Sequence, residues 1–528
     1  MPRLFFLAVL ITLAAPVRAQ LPFTVEIEEL TRAQAPALHS GAYAQHGGRW
    51  LFVAGRTNGL HGLQPNPEPF PNEFAHGAVV VYDPALDQRW TASLDALPAA
   101  VADPLRTMNG EHWQEGTTLY WIGGYGHSTA AGDKRTFPML TAIDVPGIMA
   151  AVQNGTSLAP HIRQLTDERL AVAGGHLLKL GARYHLVGGN RFDGQYLGPT
   201  QNQVYTEAIR SFEIVDDGTT LALANFSEVT DAENLHRRDL NVGPVILPSG
   251  AEAFALYGGV FTAANHPYRR PVYVDNGTPT VDATFQAQFG HYTCPLLPMY
   301  DEQEHTMHTV FFGGMGQFYV NNQTGAIQQD NLVPFIDDVA ALSRTEAGVS
   351  SETVLPFRMP AFLGSNAQFF LAPGLPQFGN GVLKLSEMSG RLLVGHIHGG
   401  IYSTTTHPGW MPSTGSTSAS SRVFAVYVTS FVPPANEGDV PDGFEMLAAA
   451  PNPFRDEARL TVRLDRPQTL AVEVFDLLGR RVERLHHGAL AAGPHTFAFR
   501  AAAHPAGMYV VRVAGETGQA TQRLALVR

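Results

Sequence analysis

The chain has 528 residues, of which 16% are charged and 45% hydrophobic, and its formal net charge is −12 at pH 7. This acidic balance, with no basic run to offset it, argues against nucleic-acid binding. With 52 glycines and 37 prolines, the composition is typical of an all-β chain rich in turns rather than of a disordered one. The single cysteine, Cys294, excludes an internal disulfide, so packing must stabilise the fold.

Residues 1–19 have the pattern of a cleavable signal peptide. Arg3 precedes an apolar run at 4–15, and Ala19 ends a cleavage pattern of small residues. The apolar run is shorter than the roughly 20 residues that a membrane-spanning helix needs. We therefore expect export, a mature chain that starts at Gln20, and no integral membrane segment in it.

Residues 20–430 contain six copies of one unit. In each copy an apolar strand ends in Gly-Gly or a close variant, and a second apolar strand follows a variable loop. The first of these strands ends at residues 55, 124, 189, 259, 314 and 400. A glycine pair suits a strand end where no room is left for Cβ and the loop needs unusual φ and ψ angles. With one more strand before and one after, each unit predicts a four-stranded sheet.

The unit resembles the kelch family, most clearly in the sequence VVYDP at 80–84, which is followed by Trp90. The resemblance implies a six-bladed kelch-like β-propeller. Residues 345–376 could be an insertion or could disguise another blade, so a seven-bladed propeller is the alternative. We also expect residues 23–30 to complete a blade beside 423–428, which would remove a sheet edge. The alternative is a frayed N-terminus.

Residues 431–446 have the composition of a linker, and residues 447–528 contain closely spaced alternating strands that predict a small immunoglobulin-like β-sandwich. The sequences PNPF at 451–454, VFDLLGR at 474–480 and AGMYVVR at 506–512 resemble the C-terminal sorting domain of the type IX secretion system. This resemblance implies recognition by the type IX machinery, then removal of the tail with attachment to the cell surface or release. The expected location is outside the cell or on the outer-membrane surface, reached through the periplasm. A plain immunoglobulin-like module is the alternative.

Local catalytic motifs are absent from the sequence. It contains no phosphate-binding loop, nucleophile elbow or HExxH sequence. No third ligand can be assigned to the pairs His396/His398 and His305/His308, so we predict no metal and no cofactor. Tyr292 lies near Cys294, and galactose-oxidase-like proteins use a Tyr cross-linked to Cys on a kelch propeller, but their copper ligands cannot be mapped here.

Strand direction predicts where a ligand binds. In a four-stranded unit, the loop before the first strand and the loop after the second strand lie on the same face. Polar residues of these loops should therefore surround the mouth of a central channel. The predicted ligand-binding residues are His39, Arg56, Asn109, Tyr125, His127, His176, Asn190, Arg191, Asn241, His291, Gln317 and Asn380.

These features favour a non-catalytic binding protein with a glycan or protein ligand. The alternative functions are a carbohydrate-active enzyme, similar to a sugar epimerase or mutarotase, and a galactose-oxidase-like oxidoreductase. The identity of catalytic residues stays open, because a site assembled from separate units leaves no local motif.

Overall fold

The structure is a computed structural model that describes residues 21–62, 64, 68–289, 291–408, 415–432, 444–452, 454–476, 480–500, 502, 504–516 and 518–527. The expected signal peptide and most of the expected linker lie outside these residues. Within the described ranges, no helix has the length and apolar character needed to cross a membrane.

The described residues form two compact units. The first comprises the residues up to Tyr300, together with Thr306–Leu383 and Leu393–Val428. The second comprises Asp301–His305, Lys384–Leu392 and the described residues from Thr429 onward. Both units are built mainly of antiparallel strands, which confirms the all-β class.

The first unit contains six principal sheets, and in each of them four strands lie side by side; they follow chain order except in the sixth sheet, where the N-terminal strand pairs with the last one. Sheet 1 consists of Ala42–His46, Arg49–Val53, Ala78–Asp83 and Gln88–Ser93. Sheet 2 consists of Glu111–Glu115, Thr118–Ile122, Met139–Asp144 and Ile162–Thr166. Sheet 3 consists of Ala173–Leu180, Arg183–Asp193, Ala208–Asp216 and Leu221–Thr230, with Asn202–Tyr205 paired to its second strand.

The remaining sheets repeat this order. Sheet 4 consists of Asn241–Ile246, Glu252–Tyr257, Val272–Asp275 and Thr278–Val281. Sheet 5 consists of Leu296–Asp301, Thr306–Phe312, Asp338–Arg344 and Ser350–Arg358, with Leu383–Lys384 beside its first strand. Sheet 6 consists of Ala367–Leu371, Arg391–Gly399, Val423–Ser430 and Phe23–Leu30. The predicted four-stranded units are therefore confirmed.

Shorter elements connect the strands. Three hairpins pair Tyr125–Ser128 with Asp133–Thr136, Phe318–Val320 with Ile327–Gln329, and Ile401–Ser403 with Thr417–Ala419. The α-helices are Ala99–Ala102 and Val145–Asn154. The 3₁₀ turns are Asn72–Phe74, Leu94–Ala96, Asp103–Arg106, Ala159–His161, Glu168–Leu170 and Leu385–Glu387.

The N-terminal strand completes sheet 6. Phe23–Leu30 is hydrogen-bonded along Val423–Ser430, as the alternation of its residues predicted. Phe23 and Val25 are buried, and the ring of Phe23 packs edge-on against His308 with centroids 5.3 Å apart. On the exposed side, the guanidinium of Arg422 donates to Glu29 at 2.6 Å. The first and last segments of the first unit are thus joined in one sheet.

Contacts link each sheet to the next around a closed ring. Between sheets 1 and 2, the Gln45 amide donates to Gln114 Oε1 at 2.7 Å, and Leu51, Trp121 and Ile148 share one core. Between sheets 6 and 1, the rings of Trp50 and Phe370 stack with centroids 4.0 Å apart. The apolar faces of the strands are therefore buried between neighbouring sheets.

The glycine pairs have the backbone that their sequence position predicted. Gly188 and Gly189 in sheet 3 have φ values of +61° and +78°. A Cβ atom on Gly189 would lie 2.6 Å from Cγ1 of Val172 and 2.7 Å from the amide nitrogen of Gly175. Both the left-handed angle and the close packing therefore require glycine here.

The second unit contains two sheets in its C-terminal part. One sheet consists of Phe444–Ala450, Glu457–Leu464 and Gly493–Arg500. The other consists of Gln468–Asp476, Arg481–Leu490, Gly507–Ala514 and Gln519–Leu526. Alternate residues of both sheets, among them Val462, Val474 and Val511, form one buried core. This is the pattern expected of two sheets packed face to face.

Candidate functional site

A ring of six residues links the first strands of the six sheets. Each lies at or just before the start of its strand and has a left-handed backbone, with φ between +42° and +69°. The six are Ser40, Asn109, Gly174, Asp239, Thr293 and Asn366. We call them the ring residues.

Hydrogen bonds join the ring residues from one sheet to the next. The Asn109 amide donates to the carbonyl of Ser40 at 2.9 Å, and the Gly174 amide donates to that of Asn109 at 2.6 Å. The Asp239 amide donates to Gly174, and the Thr293 hydroxyl donates to Asp239 at 2.7 Å. The Asn366 amide then donates to Thr293 at 2.9 Å. These bonds hold six separate sheets at a common level.

A cavity of about 520 Å³ opens at this level. The same backbone pairing recurs around its wall. The residue that precedes a ring residue pairs, in antiparallel fashion, with the residue that follows the glycines at the end of the second strand. The cavity-lining pairs are His39 with Arg56, Met108 with Tyr125, Ala173 with Asn190, Arg238 with Val260, and Tyr292 with Met315. In sheet 6 the Ile401 amide donates to the Ser365 carbonyl at 2.8 Å. Every sheet therefore contributes to the same cavity.

Aromatic side chains form one side of the cavity. The rings of Phe70, Tyr125, Phe192 and Tyr196 contact one another with centroids between 5.2 and 5.9 Å apart. The imidazole of His61 packs on this cluster, 4.8 Å from Phe70. We call these five side chains the aromatic wall. Such a surface accepts the apolar face of a ligand ring.

Three charged groups line the cavity among the described residues. They are Arg56, Arg238 and Asp239. The Asp239 carboxylate accepts from Asn109 Nδ2 at 3.4 Å and from the Tyr292 hydroxyl at 3.5 Å, and lies 3.8 Å from Arg238 Nη1. Burial raises the pKa of Asp239 above its ordinary value, although the neighbouring Arg238 charge opposes this.

The lining histidines are neutral at pH 7. Burial lowers the pKa of His39 to about 4, and the charge of Arg56 acts in the same direction. Burial also lowers the pKa of His61. The positive charge of the cavity therefore comes from the two arginines.

A smaller pocket of about 130 Å³ is lined by all six ring residues and by Glu111, His112 and His176. All of the ring residues except Thr293 line the main cavity as well. Glu111 Oε1 accepts from the Gly175 amide at 2.7 Å, whereas Oε2 is buried without a hydrogen-bond partner among the described residues. Burial raises the pKa of Glu111 well above its ordinary value, and the Asp239 charge adds to this effect. Burial also lowers the pKa of His112 to about 3 and that of His176 to about 4.

The structure brings seven of the twelve predicted residues to these two spaces. His39, Arg56, Asn109, Tyr125 and Asn190 line the main cavity, and His176 and Asn241 line the smaller pocket. Asn241 also has a structural role, because its Oδ1 accepts from the amide of Cys294 at 2.9 Å.

The other five predicted residues line neither space. His127 is exposed, Arg191 pairs with Asp193 and Glu168 at 2.8 Å, and Gln317 donates to Asn331 at 2.8 Å. His291 is buried, where its Nδ1 contacts the Gly313 carbonyl at 3.1 Å and its ring stacks on Phe311. Asn380 donates to the carbonyls of Val245 and Ala253, near the hairpin that joins the first two strands of sheet 4.

Sheets 5 and 6 explain two of these differences. The cavity position of sheet 5 belongs to Tyr292 rather than to its neighbour His291. The first strand of sheet 6 is Ala367–Leu371, so Asn380 follows that strand instead of preceding it. Asn366 occupies the ring position. The prediction therefore placed before the first strand of sheet 6 a residue that lies in the long loop between its first two strands.

Sequence reasoning missed several lining residues, above all Arg238, Asp239, Phe70 and Tyr196. The charged sequence RRD at 237–239, directly before the strand that begins at Asn241, is a signal that could have found the first two. Phe70 and Tyr196 lie in long loops, where no periodicity marks them.

Tyr292 and Cys294, which were considered for metal chemistry, have different hydrogen-bond partners. The Tyr292 hydroxyl donates to Asp239, whereas the Cys294 sulfur lies 3.6 Å from Asn241 Nδ2. Burial raises the pKa of the Cys294 thiol to about 12. In the described part of the chain, no three His, Cys, Asp or Glu side chains are grouped so that they could hold a metal ion.

Comparison with known protein families identifies the tail. Residues 449–527 match the family described as the secretion system C-terminal sorting domain. The chain therefore carries a type IX secretion C-terminal sorting domain, which indicates interaction with that secretion machinery and export to the cell surface or secretion. No curated protein matches the chain.

Solved structures show only distant similarity. The structure of YjhT has a TM-score of 0.36 at 11% identity, over 60% of this chain and 84% of that chain. A family 43 arabinoxylan arabinofuranohydrolase from Bacillus subtilis, in complex with cellotetraose, has a TM-score of 0.28 at 10% identity, over 93% of this chain and 96% of that chain. Sucrose-6-phosphate hydrolase from Lactobacillus gasseri has a TM-score of 0.23 at 8% identity, over 89% and 88%. Scores this low carry no functional argument.

Proposed function

We propose that the chain is an exported binding protein that holds a small organic ligand in the main cavity. The first unit would be a six-bladed kelch-like β-propeller and the tail an immunoglobulin-like sandwich. Six four-stranded sheets joined in a closed ring support this blade count over seven. The type IX sorting domain supports delivery of the propeller to the outside of the cell.

The observation that carries the proposal is the composition of the cavity. It is concave, has the volume typical of small-molecule sites, and combines an aromatic wall with a few polar groups from different sheets. A small molecule, such as a sugar or an aromatic compound, fits this space better than a protein surface does. A propeller also holds these groups in fixed positions, which reduces the entropy cost of binding.

Titration of the mature chain with small-molecule ligands tests this function. Tyr196→Ala removes one ring of the aromatic wall and should weaken binding several-fold, because a stacking contact contributes about 0.5–1.5 kcal/mol. The matched control is Tyr319→Ala, on the hairpin that begins at Phe318 and away from the cavity lining. Equal affinity of both variants would place the ligand elsewhere and contradict the proposal.

A sugar epimerase or mutarotase is the second candidate, favoured by Asp239 in the cavity lining and by the buried Glu111 in the smaller pocket. Both Asp239 and Glu111 have a raised pKa, and such groups are suited to proton transfer to and from a sugar hydroxyl. Exchange between the two anomers of a bound sugar, followed by NMR, tests this. The enzyme should accelerate exchange, and Asp239→Asn should remove the acceleration. Exchange at the uncatalysed rate across a panel of sugars contradicts this candidate.

A further inference from the structure

The guanidinium of Arg56 lies in the cavity lining without a carboxylate partner among the described residues. The side chain is 4% exposed. Its Nε donates to Asn58 Oδ1 at 2.9 Å and its Nη2 donates to the Pro71 carbonyl at 3.1 Å, so both acceptors are uncharged. The nearby Glu68 is engaged by Lys134. Burial lowers the pKa of Arg56 to about 10, which leaves the side chain charged at pH 7.

Arg237 is a buried arginine whose guanidinium is fully paired within the protein. All three of its nitrogens donate to carbonyls, of Asn234, Gly258 and Arg270, and its guanidinium lies 4.3 Å from the ring centroid of Tyr268. It does not line the main cavity. In Arg56, by contrast, Nη1 has no hydrogen-bond partner among the described residues. Because Arg56 lines the cavity, an acceptor on a ligand could bind this nitrogen.

The charges of the cavity also indicate an anion. Two guanidinium groups face one acidic side chain, Asp239, which already contacts Arg238 at 3.8 Å. The charged groups of the lining therefore sum to +1, with Glu68 and Glu73 also near enough to act on Arg56, in a chain whose formal net charge is −12. A single negative charge on the ligand would balance it, whereas a phosphate dianion would bring one charge too many.

We propose that the ligand is a small organic carboxylate, whose carboxylate binds Arg56 and whose ring packs on the aromatic wall. The Arg56 guanidinium lies 5.5 Å from the centroid of Phe70, so one molecule of modest size can reach both. Charge-assisted hydrogen bonds to a guanidinium are strong and favour the planar carboxylate. This inference rests on the proposed binding function and specifies its ligand class.

Calorimetric titration of the mature chain with acids and their neutral analogues tests the proposal. The pairs are benzoate with benzamide, phenylacetate with phenylacetamide, and glucuronate with glucose, with phenyl phosphate as a separate probe. At least one acid should bind about tenfold more tightly than its analogue, because a charged hydrogen bond is lost in the neutral compound. Arg56→Gln should remove this preference, and Arg191→Gln, which lies outside the cavity lining, should retain it.

The proposal is overturned if neutral analogues bind as tightly as the acids, if the acid preference persists in Arg56→Gln, or if no acid binds up to roughly 10 mM. Tighter binding of phenyl phosphate than of every acid also contradicts it. If Arg56→Gln fails to fold, the comparison of acid and amide on the unaltered protein still decides. If neutral ligands bind, and Tyr196→Ala weakens their binding, the proposed binding function stands and only the assignment of a carboxylate ligand is contradicted.

Discussion

Two glycines in or beside sheet 3 allow the energetic cost of a left-handed backbone to be distinguished from the cost of a steric clash. Gly181 and Gly189 both have positive φ, but a Cβ on Gly181 meets nothing within 4 Å, whereas one on Gly189 meets the backbone of Gly175. We expect Gly181→Ala to cost about 1 kcal/mol of unfolding free energy and Gly189→Ala about 2–3 kcal/mol more. Urea denaturation followed by tryptophan fluorescence measures both. Equal costs would show that the contacts at Gly189 relax freely.

The stability of the sorting domain should depend on pH through Glu473 in the second unit. Hydrogen bonds from Arg512, Arg481 and Arg484 lower the pKa of this carboxyl to about 2. They outweigh the opposite effect of burial, since the side chain is only 9% exposed. Its ordinary pKa is 4.5, so the stabilisation is complete above that pH and is lost as the pH falls towards 2.

Hydrogen exchange of the strand Gln468–Asp476, corrected for intrinsic rates, should therefore show protection that falls between pH 4.5 and 2. In Glu473→Gln that dependence should be much weaker. Glu457→Gln is the control, because its pairs with Arg459 and Arg500 are on the surface and contribute little. A pH profile that Glu473→Gln leaves unchanged would assign the acid response to other groups.

Single residues also show where sequence reasoning ends. The glycine pairs could be predicted, because one residue type recurs wherever the backbone needs it. The ring residues share an angle and not a chemistry: they are Ser, Asn, Gly, Asp, Thr and Asn. No motif marks such positions, so the prediction named Asn241 instead of Asp239 in sheet 4, His291 instead of Thr293 in sheet 5, and Asn380 instead of Asn366 in sheet 6. Arg56 was predicted because it directly follows a glycine.

At the scale of elements, the strand Phe23–Leu30 has one buried and one exposed face. Phe23→Ala and Val25→Ala should each lower the free energy of unfolding by about 1–4 kcal/mol, because both side chains are buried in sheet 6. Thr24→Ala, on the exposed face, should change it by less than about 0.5 kcal/mol. Deletion of residues 20–30 should lower the melting temperature by more than either substitution. Equal melting curves for Val25→Ala and Thr24→Ala would indicate a frayed strand.

The order of strands could be predicted better than the loops between them. Alternation and glycine pairs fixed four strands per sheet and the place of the N-terminal strand, because both depend on local chemistry and on sheet edges. The loops that contribute Phe70 and Tyr196 differ in length from sheet to sheet, and their packing depends on contacts with other loops. Apart from Tyr125, the residues of the aromatic wall could therefore not be predicted from the sequence.

At the scale of the whole molecule, the sorting domain determines where the protein is found. A chain without residues 446–528 should remain in the periplasm, with its first unit folded, because the type IX machinery recognises the tail. Cell fractionation with surface protease treatment measures this. A reporter protein joined to residues 431–528 is the matched control and should reach the surface. Surface exposure of the truncated chain at the normal level would contradict this role of the tail.

The place of Phe23–Leu30 in sheet 6 also sets the order of assembly. A chain that emerges N-terminus first presents this strand at the beginning, but its partner, Val423–Ser430, arrives only when almost all of the first unit has followed. Until then the strand has no sheet to join, and bringing the two ends together carries the entropy cost of a very long loop. The ring of sheets therefore cannot close before Val423–Ser430 has emerged.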